Sequence, residues 1–290
     1  MNDRHIEDRH IGVVGAGQMG AGIAQVCALS GFRVTLIDVS PQALARSVAA
    51  ISAGLEKLRV KGRIGAEEQA AAAARVRTAT EHHPLGTTDF VIEAATEDPQ
   101  LKEALLTRLS AVAPAHSVIA TNTSSISISQ LAAAVGDPTR FVGLHFFNPV
   151  PLMDLVEVVR GLRTSDETVA RACAFARALD KTPILVRNAP GFVVNRLLCP
   201  MINEAIQALH EGLATAEDID RGMKLGCNHP IGPLALADLI GLDTLLAVLE
   251  VMSAGFGDPK YRPSPLLREM VSAGLLGRKT GRGFYAYGAA

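Results

Sequence analysis

The first half of the chain alternates short runs of apolar, often β-branched residues with longer stretches of helical composition. Residues 10–15, 33–38, 89–94, 117–121 and 140–145 read as strands, and residues 18–30, 41–60, 99–112 and 128–135 read as helices between them. The strands are apolar at nearly every position, not at alternate ones. Both of their faces therefore need cover, which predicts a parallel sheet with helices on each side. The helical region from Pro41 to about Ala74 is long for one crossover. The run Lys61-Gly62-Arg63-Ile64-Gly65 is expected to break it into two helices, with room to project beyond the sheet. From Asn188 the pattern turns helical: Pro190-Gly191-Phe192 opens a stretch to about Glu211, and segments 215–225, 234–237 and 242–252 follow. The expectation is an α/β domain over residues 1–187 and an all-helical domain over residues 188–290.

The Gly-rich turn sharpens this. The first strand ends in Gly15-Ala16-Gly17-Gln18-Met19-Gly20, a GxGxxG that follows a strand, precedes a helix and lies where a first βαβ unit belongs. Gly15 permits the tight turn, Gly17 lets the backbone approach a pyrophosphate, and Gly20 allows the helix to pack closely on the strand. Free N–H groups at the helix start suit phosphates. The α/β half is thus expected to be a Rossmann-type, doubly wound domain. The second strand ends at Asp38, eighteen positions after Gly20. A carboxylate there can accept hydrogen bonds from ribose hydroxyls and repel a 2′-phosphate. Val39-Ser40-Pro41 carries no cation for such a phosphate, so NAD is favoured over NADP. FAD and S-adenosylmethionine use similar turns, and Asp38 also suits a helix N-cap, so the chemistry must come from elsewhere.

His145 ends an apolar strand in Gly143-Leu144-His145-Phe146-Phe147-Asn148-Pro149. Strand C-termini are where open parallel sheets bind ligands. Oxidising a secondary alcohol by hydride transfer needs a base for the hydroxyl proton, and imidazole is suited to it. A histidine among aromatics is more often structural, but Glu157 changes the reading. It lies in Leu155-Val156-Glu157-Val158-Val159, where a carboxylate among apolar residues needs a partner. After Pro149-Val150-Pro151 the chain can return Glu157 to His145. Asn122-Thr123-Ser124-Ser125 follows another strand onto the same rim. Glu93-Ala94-Ala95-Thr96-Glu97 follows a third, with Lys102 just beyond, and Asn195 lies one turn into the first helix after Pro190.

Bulk properties exclude some roles. Apolar residues make up 48% of the 290 and charged residues 20%, with a formal net charge of −1. Large cores are available, and neither nucleic-acid nor membrane-surface binding through bulk charge is expected. No apolar run reaches the roughly 18–20 residues of a membrane span, and the polar start reads as no signal peptide. The four cysteines (Cys27, Cys173, Cys199, Cys227) have no metal-ligand spacing. No metal site is expected, and the thiols point to a reducing, cytoplasmic setting.

These residues together resemble the 3-hydroxyacyl-CoA dehydrogenase family, closely its stand-alone bacterial 3-hydroxybutyryl-CoA members. The resemblance covers nearly the whole chain, in GAGQMG (15–20), IEAATE (92–97), TNTSSISI (121–128), GLHFFNPVPLMDLVEVV (143–159), PGFVVNRLL (190–198) and GRKTGRGFYAY (277–287). It implies NAD as cofactor, an acyl-CoA substrate, fatty-acid metabolism, and a homodimer formed by the helical domain. It implies His145 as general acid/base with Glu157 as partner, Ser124 on the substrate's 3-oxygen and Asn195 on the acyl group. Asn148, Glu97, Lys102 and Lys279 match positions that contact NAD or order its site. Lys102 is also expected near the CoA, and Lys61 matches a CoA-binding lysine. Two departures stand out: Gly54 replaces a CoA-contacting serine, and Asp154 stands where many members carry lysine. Two other readings remain: a 3-hydroxyacid or 6-phosphogluconate dehydrogenase type with a lysine base, and an inactive crystallin-like homologue. Membership of a larger fatty-acid oxidation assembly finds no docking segment in the sequence.

Overall fold

A computed structural model describes residues 9–288, in two compact units, one ending at Asn188 and the other starting at Ala189. The first unit is built on one eight-stranded sheet: β1 (His10–Val14), β2 (Arg33–Ile37), β3 (Val76–Ala79), β4 (Phe90–Glu93), β5 (Val118–Thr121), β6 (Phe141–Phe146), β7 (Leu155–Arg160) and β8 (Thr182–Arg187). Their order is β3-β2-β1-β4-β5-β6-β7-β8. The strands from β3 to β6 are parallel, β7 pairs antiparallel with β6, and β8 runs parallel to β7. The short link from Phe147 to Asp154 leaves no room for a helical crossover, so β7 has to return antiparallel.

Helices α1 (Gln18–Leu29), α2 (Pro41–Val60), α3 (Ala66–Arg75), α4 (Pro99–Val112), α5 (Ile128–Leu131) and α6 (Asp166–Ala178) connect the strands. The break expected at residues 61–65 separates α2 from α3. Leu44, Ile51, Leu55 and Ala72 anchor the pair in the same core as Ile23, Ala24 and Cys27 of α1, while Lys57, Arg59, Val60, Lys61 and Arg63 at its far end are exposed. The helix expected over 128–135 is α-helical only to Leu131 and then tightens into a 3₁₀ turn at Ala132–Ala134.

The second unit is helical: α7 (Val194–His210), α8 (Ala216–Gly226), α9 (Pro233–Ile240), α10 (Leu242–Phe256) and α11 (Pro265–Ser272). α7 starts later than the Pro190-Gly191-Phe192 signal suggests, because Gly191 and Phe192 adopt positive φ (77° and 48°). Two buried carboxylates organise the unit. Asp220 accepts hydrogen bonds from Leu234 N and Ala235 N, satisfying the start of α9, and from the Tyr285 hydroxyl. Asp238 accepts from Phe284 N, Tyr285 N and the Tyr287 hydroxyl. Much of the GRKTGRGFYAY motif is thus structural, and a Cβ on Gly283 would lie 1.9 Å from Asp238 Oδ1.

Candidate active site

The β1–α1 turn forms the first part of the site. Gly15 has φ +103°, and a Cβ on Gly20 would fall 1.8 Å from Gly15 O, so helix and strand approach as only glycine allows. A Cβ on Gly17 would meet nothing within 4 Å. Gly17 is instead an exposed N-cap of α1 with no side-chain cap bond, which leaves the first N–H groups of the helix facing open space. Ala16, Gln18 and Met19 complete the turn. Asp38 reaches back to it: Oδ2 accepts from Ala16 N (2.8 Å) and Oδ1 from Ser40 N (2.9 Å). The cap of α2 is Ser40, whose hydroxyl accepts from Ala43 N, so Asp38 is released from that duty. These residues fit a dinucleotide: an open helix N-terminus, and a carboxylate one strand away with lone pairs left for hydroxyl donors.

His145 and Glu157 meet as an antiparallel cross-strand pair. β6 and β7 place them directly opposite, so their side chains share one face of the sheet. His145 Nδ1 lies 2.6 Å from Glu157 Oε2, with His145 only 6% exposed and Glu157 fully buried. The Phe147 ring packs against the imidazole, with centroids 4.5 Å apart. A carboxylate on Nδ1 makes that nitrogen the proton-bearing one in the neutral ring. Nε2 is then the basic nitrogen.

The Ser124 loop leaves the C-terminal end of β5, whose neighbour is β6. Asn122 Oδ1 accepts from Phe146 N (2.9 Å), tying the loop to the residue after His145. Glu97 Oε1 gathers Thr123 Oγ1 (2.6 Å), Ser124 N (2.9 Å), Ser124 Oγ (3.2 Å) and Ser125 Oγ (3.1 Å). Burial pushes the Glu97 carboxyl up, but the Lys102 charge and these hydrogen bonds outweigh it and hold it below the ordinary carboxylate range. Lys102 is fully buried beside it. Its side chain is 1% exposed, and Nζ donates to both oxygens of buried Glu93 (2.7 and 2.9 Å) and to Ala95 O (3.1 Å), with Glu97 Oε2 at 3.5 Å. The ammonium thus turns its charge inward, to two carboxylates and a backbone carbonyl. Glu93 also accepts from Thr121 Oγ1 and Ala95 N, both at 2.6 Å. Sequence reading marked Glu93 only as part of a polar stretch. The signal available was its spacing of nine from Lys102, across a strand end and one helical turn.

Four further positions singled out in the sequence lie in the first unit. Asn148 is exposed just after β6, and Lys61 is exposed at the end of α2. A Cβ on Gly54 would lie 2.4 Å from Gln25 Oε1, so a serine there requires the Gln25 side chain of α1 to move. Asp154 is exposed, and its backbone oxygen accepts from Thr182 N where β8 begins. In the second unit Asn195 is half-buried in the first turn of α7, and Lys279 is exposed and paired with Asp243 at 2.5 Å. Among the described residues no group of three or more His, Cys, Asp or Glu side chains is placed to hold a metal ion.

Comparison with known proteins places this arrangement. Residues 10–189 match the family model "3-hydroxyacyl-CoA dehydrogenase, NAD binding domain", and residues 191–287 match "3-hydroxyacyl-CoA dehydrogenase, C-terminal domain". A probable 3-hydroxybutyryl-CoA dehydrogenase of Deinococcus radiodurans is 52% identical over 95% of this chain and 99% of its own length. The 3-hydroxybutyryl-CoA dehydrogenase of Bradyrhizobium diazoefficiens is 48% identical over 96% of this chain and 95% of its own. The crystal structure of an (S)-3-hydroxybutyryl-CoA dehydrogenase from Ralstonia eutropha superposes with a TM-score of 0.94 at 56% identity, covering 97% of this chain and 99% of that one.

Proposed function

This chain belongs to the 3-hydroxyacyl-CoA dehydrogenase family, and on that premise we propose that it interconverts (S)-3-hydroxybutyryl-CoA and acetoacetyl-CoA through a His145–Glu157 acid/base pair. It is an NAD-dependent oxidoreductase acting on 3-hydroxyacyl-CoA. The observation that carries the mechanism is the 2.6 Å contact between His145 Nδ1 and the buried Glu157 carboxylate at the rim where β6 ends. When bound at the Gly15–Gly20 turn, NAD supplies the acceptor for the hydride on carbon 3. In that direction His145 Nε2 takes the proton of the 3-hydroxyl. Glu157 fixes the tautomer beforehand and offsets the imidazolium charge as it forms. In reduction His145 returns the proton to the 3-keto oxygen. Ser124 donates a hydrogen bond to that oxygen, which gains negative charge as hydride arrives. Asp38 holds the adenosine ribose, and Glu97, Asn148 and Lys279 order the cofactor site. Lys61 takes a CoA phosphate, and Asn195 helps hold the acyl group.

The lysine-base alternative loses support from Lys102, whose Nζ is engaged by Glu93 and Ala95. The experiment is NADH oxidation by the purified chain with 3-ketoacyl-CoA substrates of increasing length. Fastest turnover of acetoacetyl-CoA supports the assignment, and no turnover at any length returns the crystallin-like reading. The protein acts in the cytoplasm: four free thiols suit a reducing compartment, and no described helix is long and apolar enough to cross a membrane. It is a homodimer built on the helical unit, where Leu197, Leu213 and Leu225 are each at least 70% exposed. Sedimentation at a dimer mass checks the last point, and a monomer refutes it.

A further inference from the structure

We propose that the buried Glu93–Lys102 pair acts as positioning residues for the reaction, fixing the Glu97 carboxylate and through it the loop that carries Ser124. This deepens the dehydrogenase reading and rests on it. The geometry is a chain of contacts from the core to the rim. Glu93 closes β4 with no exposed surface and is held by Lys102 Nζ, Thr121 Oγ1 and Ala95 N. A fully buried carboxylate and ammonium cost several kcal/mol each to desolvate and are not an economical way to fill a core. Such a pair, two strand widths from His145, calls for an explanation beyond packing.

Lys102 supplies one. Its Nζ lies 2.9 Å or less from both Glu93 oxygens and 3.5 Å from Glu97 Oε2, so it bridges a carboxylate in the core to one that is 37% exposed at the rim. Glu97 turns its other oxygen to four donors from three consecutive residues, Thr123, Ser124 and Ser125. The loop cannot shift without breaking several of these bonds together. Glu93 adds two restraints at the root of the loop, through Thr121 Oγ1 and through its own carbonyl, which accepts from Asn122 N. Asn122 in turn accepts from Phe146 N, next to His145. The hydroxyl assigned to the substrate's 3-oxygen and the imidazole assigned to its proton are therefore set by one network with Lys102 at its base. The charged groups facing Glu97 are Lys102 from α4 and, behind it, Glu93 from β4. The β5 loop contributes hydroxyl and backbone donors.

The test is the paired variant Glu93→Gln with Lys102→Met, which removes both buried charges together and leaves neither unpaired. It is assayed with acetoacetyl-CoA and with a truncated acetoacetyl thioester lacking the nucleotide. Misplacement of a reacting group by about 1 Å can cost on the order of 10²-fold. Turnover is expected to fall by about 10–100-fold, to the same extent for both substrates. The acid limb of the kcat/KM profile is expected to move to higher pH, because Glu97 loses the charge that holds its carboxyl low. Adding Glu97→Gln should abolish that new limb, which a merely structural defect would not do. A KM rise confined to the CoA substrate overturns the proposal and returns Lys102 to phosphate binding. An unmoved pH profile with normal turnover overturns it as well. If the paired variant does not fold, Thr121→Val, which deletes one donor to Glu93, carries the test: lower kcat on both substrates is expected, and unchanged kcat refutes. Wild-type turnover in the same assay is the separate check on the dehydrogenase reading. Without it that reading fails, whereas normal wild-type turnover beside unaffected variants sinks the positioning role alone.

Discussion

Replacing Glu157 by Gln isolates what its charge contributes. The amide keeps the shape, and its oxygen can still accept from His145 Nδ1, so the ring keeps its orientation. Only the negative charge beside the forming imidazolium is lost. A nitrogen–oxygen contact of 2.6 Å puts the two charge centres roughly 4 Å apart, where unit charges interact by about 4 kcal/mol at an effective dielectric near 20. The imidazolium is only partly formed at the transition state, so about half of that, roughly 2 kcal/mol or ~30-fold in kcat, is expected. His145→Gln removes the proton acceptor itself and is expected to cost about 10²–10⁴-fold. NADH affinity should stay near wild type in both, because neither residue belongs to the Gly-rich turn. The charge of Glu157 has nothing to stabilise once His145 is gone, so the double variant should be little worse than His145→Gln. The assay is NADH consumption with acetoacetyl-CoA, with NADH binding followed separately by fluorescence. Near-normal kcat in His145→Gln would refute the catalytic assignment. Full multiplication of the two single losses would show independent action and end the dyad account.

Asp38 is expected to favour NADH over NADPH by about 10²-fold in kcat/KM, the equivalent of roughly 2–3 kcal/mol of screened repulsion; equal values would remove its role as discriminator. Lys61→Ala should raise KM for acetoacetyl-CoA several-fold, in line with about 1 kcal/mol for an exposed ion pair, and spare a truncated thioester, while equal effects would show that α2 does not hold CoA. His10 gives a stability test. Burial, then the Arg33 charge, hold its imidazole below the ordinary value of 6.5, between Thr87 Oγ1 and Thr35 Oγ1. The unfolded chain therefore binds the proton first, and the contribution of His10 is complete above pH 6.5 and is lost as pH falls below it. His10→Asn should flatten the acid side of a Tm–pH curve, and an unchanged slope would contradict this.

The parts of this molecule that sequence makes legible are those with a local cause. GxGxxG is readable because two of its glycines answer local demands, shown by the positive φ of Gly15 and by the 1.8 Å that a Cβ on Gly20 would leave to Gly15 O. The central strands are readable because both faces are buried and nearly every residue in them is apolar. β3 is harder, since Val76-Arg77-Thr78-Ala79 lies at the sheet edge and only its pairing with β2 makes it a strand. β8 is likewise an edge strand, and its Pro183 weakens the strand signal.

The site divides along the same line. His145 and Glu157 are twelve residues apart with one tight turn between them, and a carboxylate within an apolar strand announces that it needs a partner. Lys102 gives no such warning. Its helix, Pro99-Gln100-Leu101-Lys102-Glu103, reads as an ordinary amphipathic start, and lysine usually reaches solvent on its long stem. Here the stem runs inward, because β4 ends in Glu93 and a buried carboxylate needs a counter-charge, which the first turn of α4 supplies. What the family resemblance implied was a lysine that contacts NAD or orders its site and lies near the CoA. The fold turns the same charge into the base of the Ser124 loop, a role that exists only once β4, β5 and α4 are brought together.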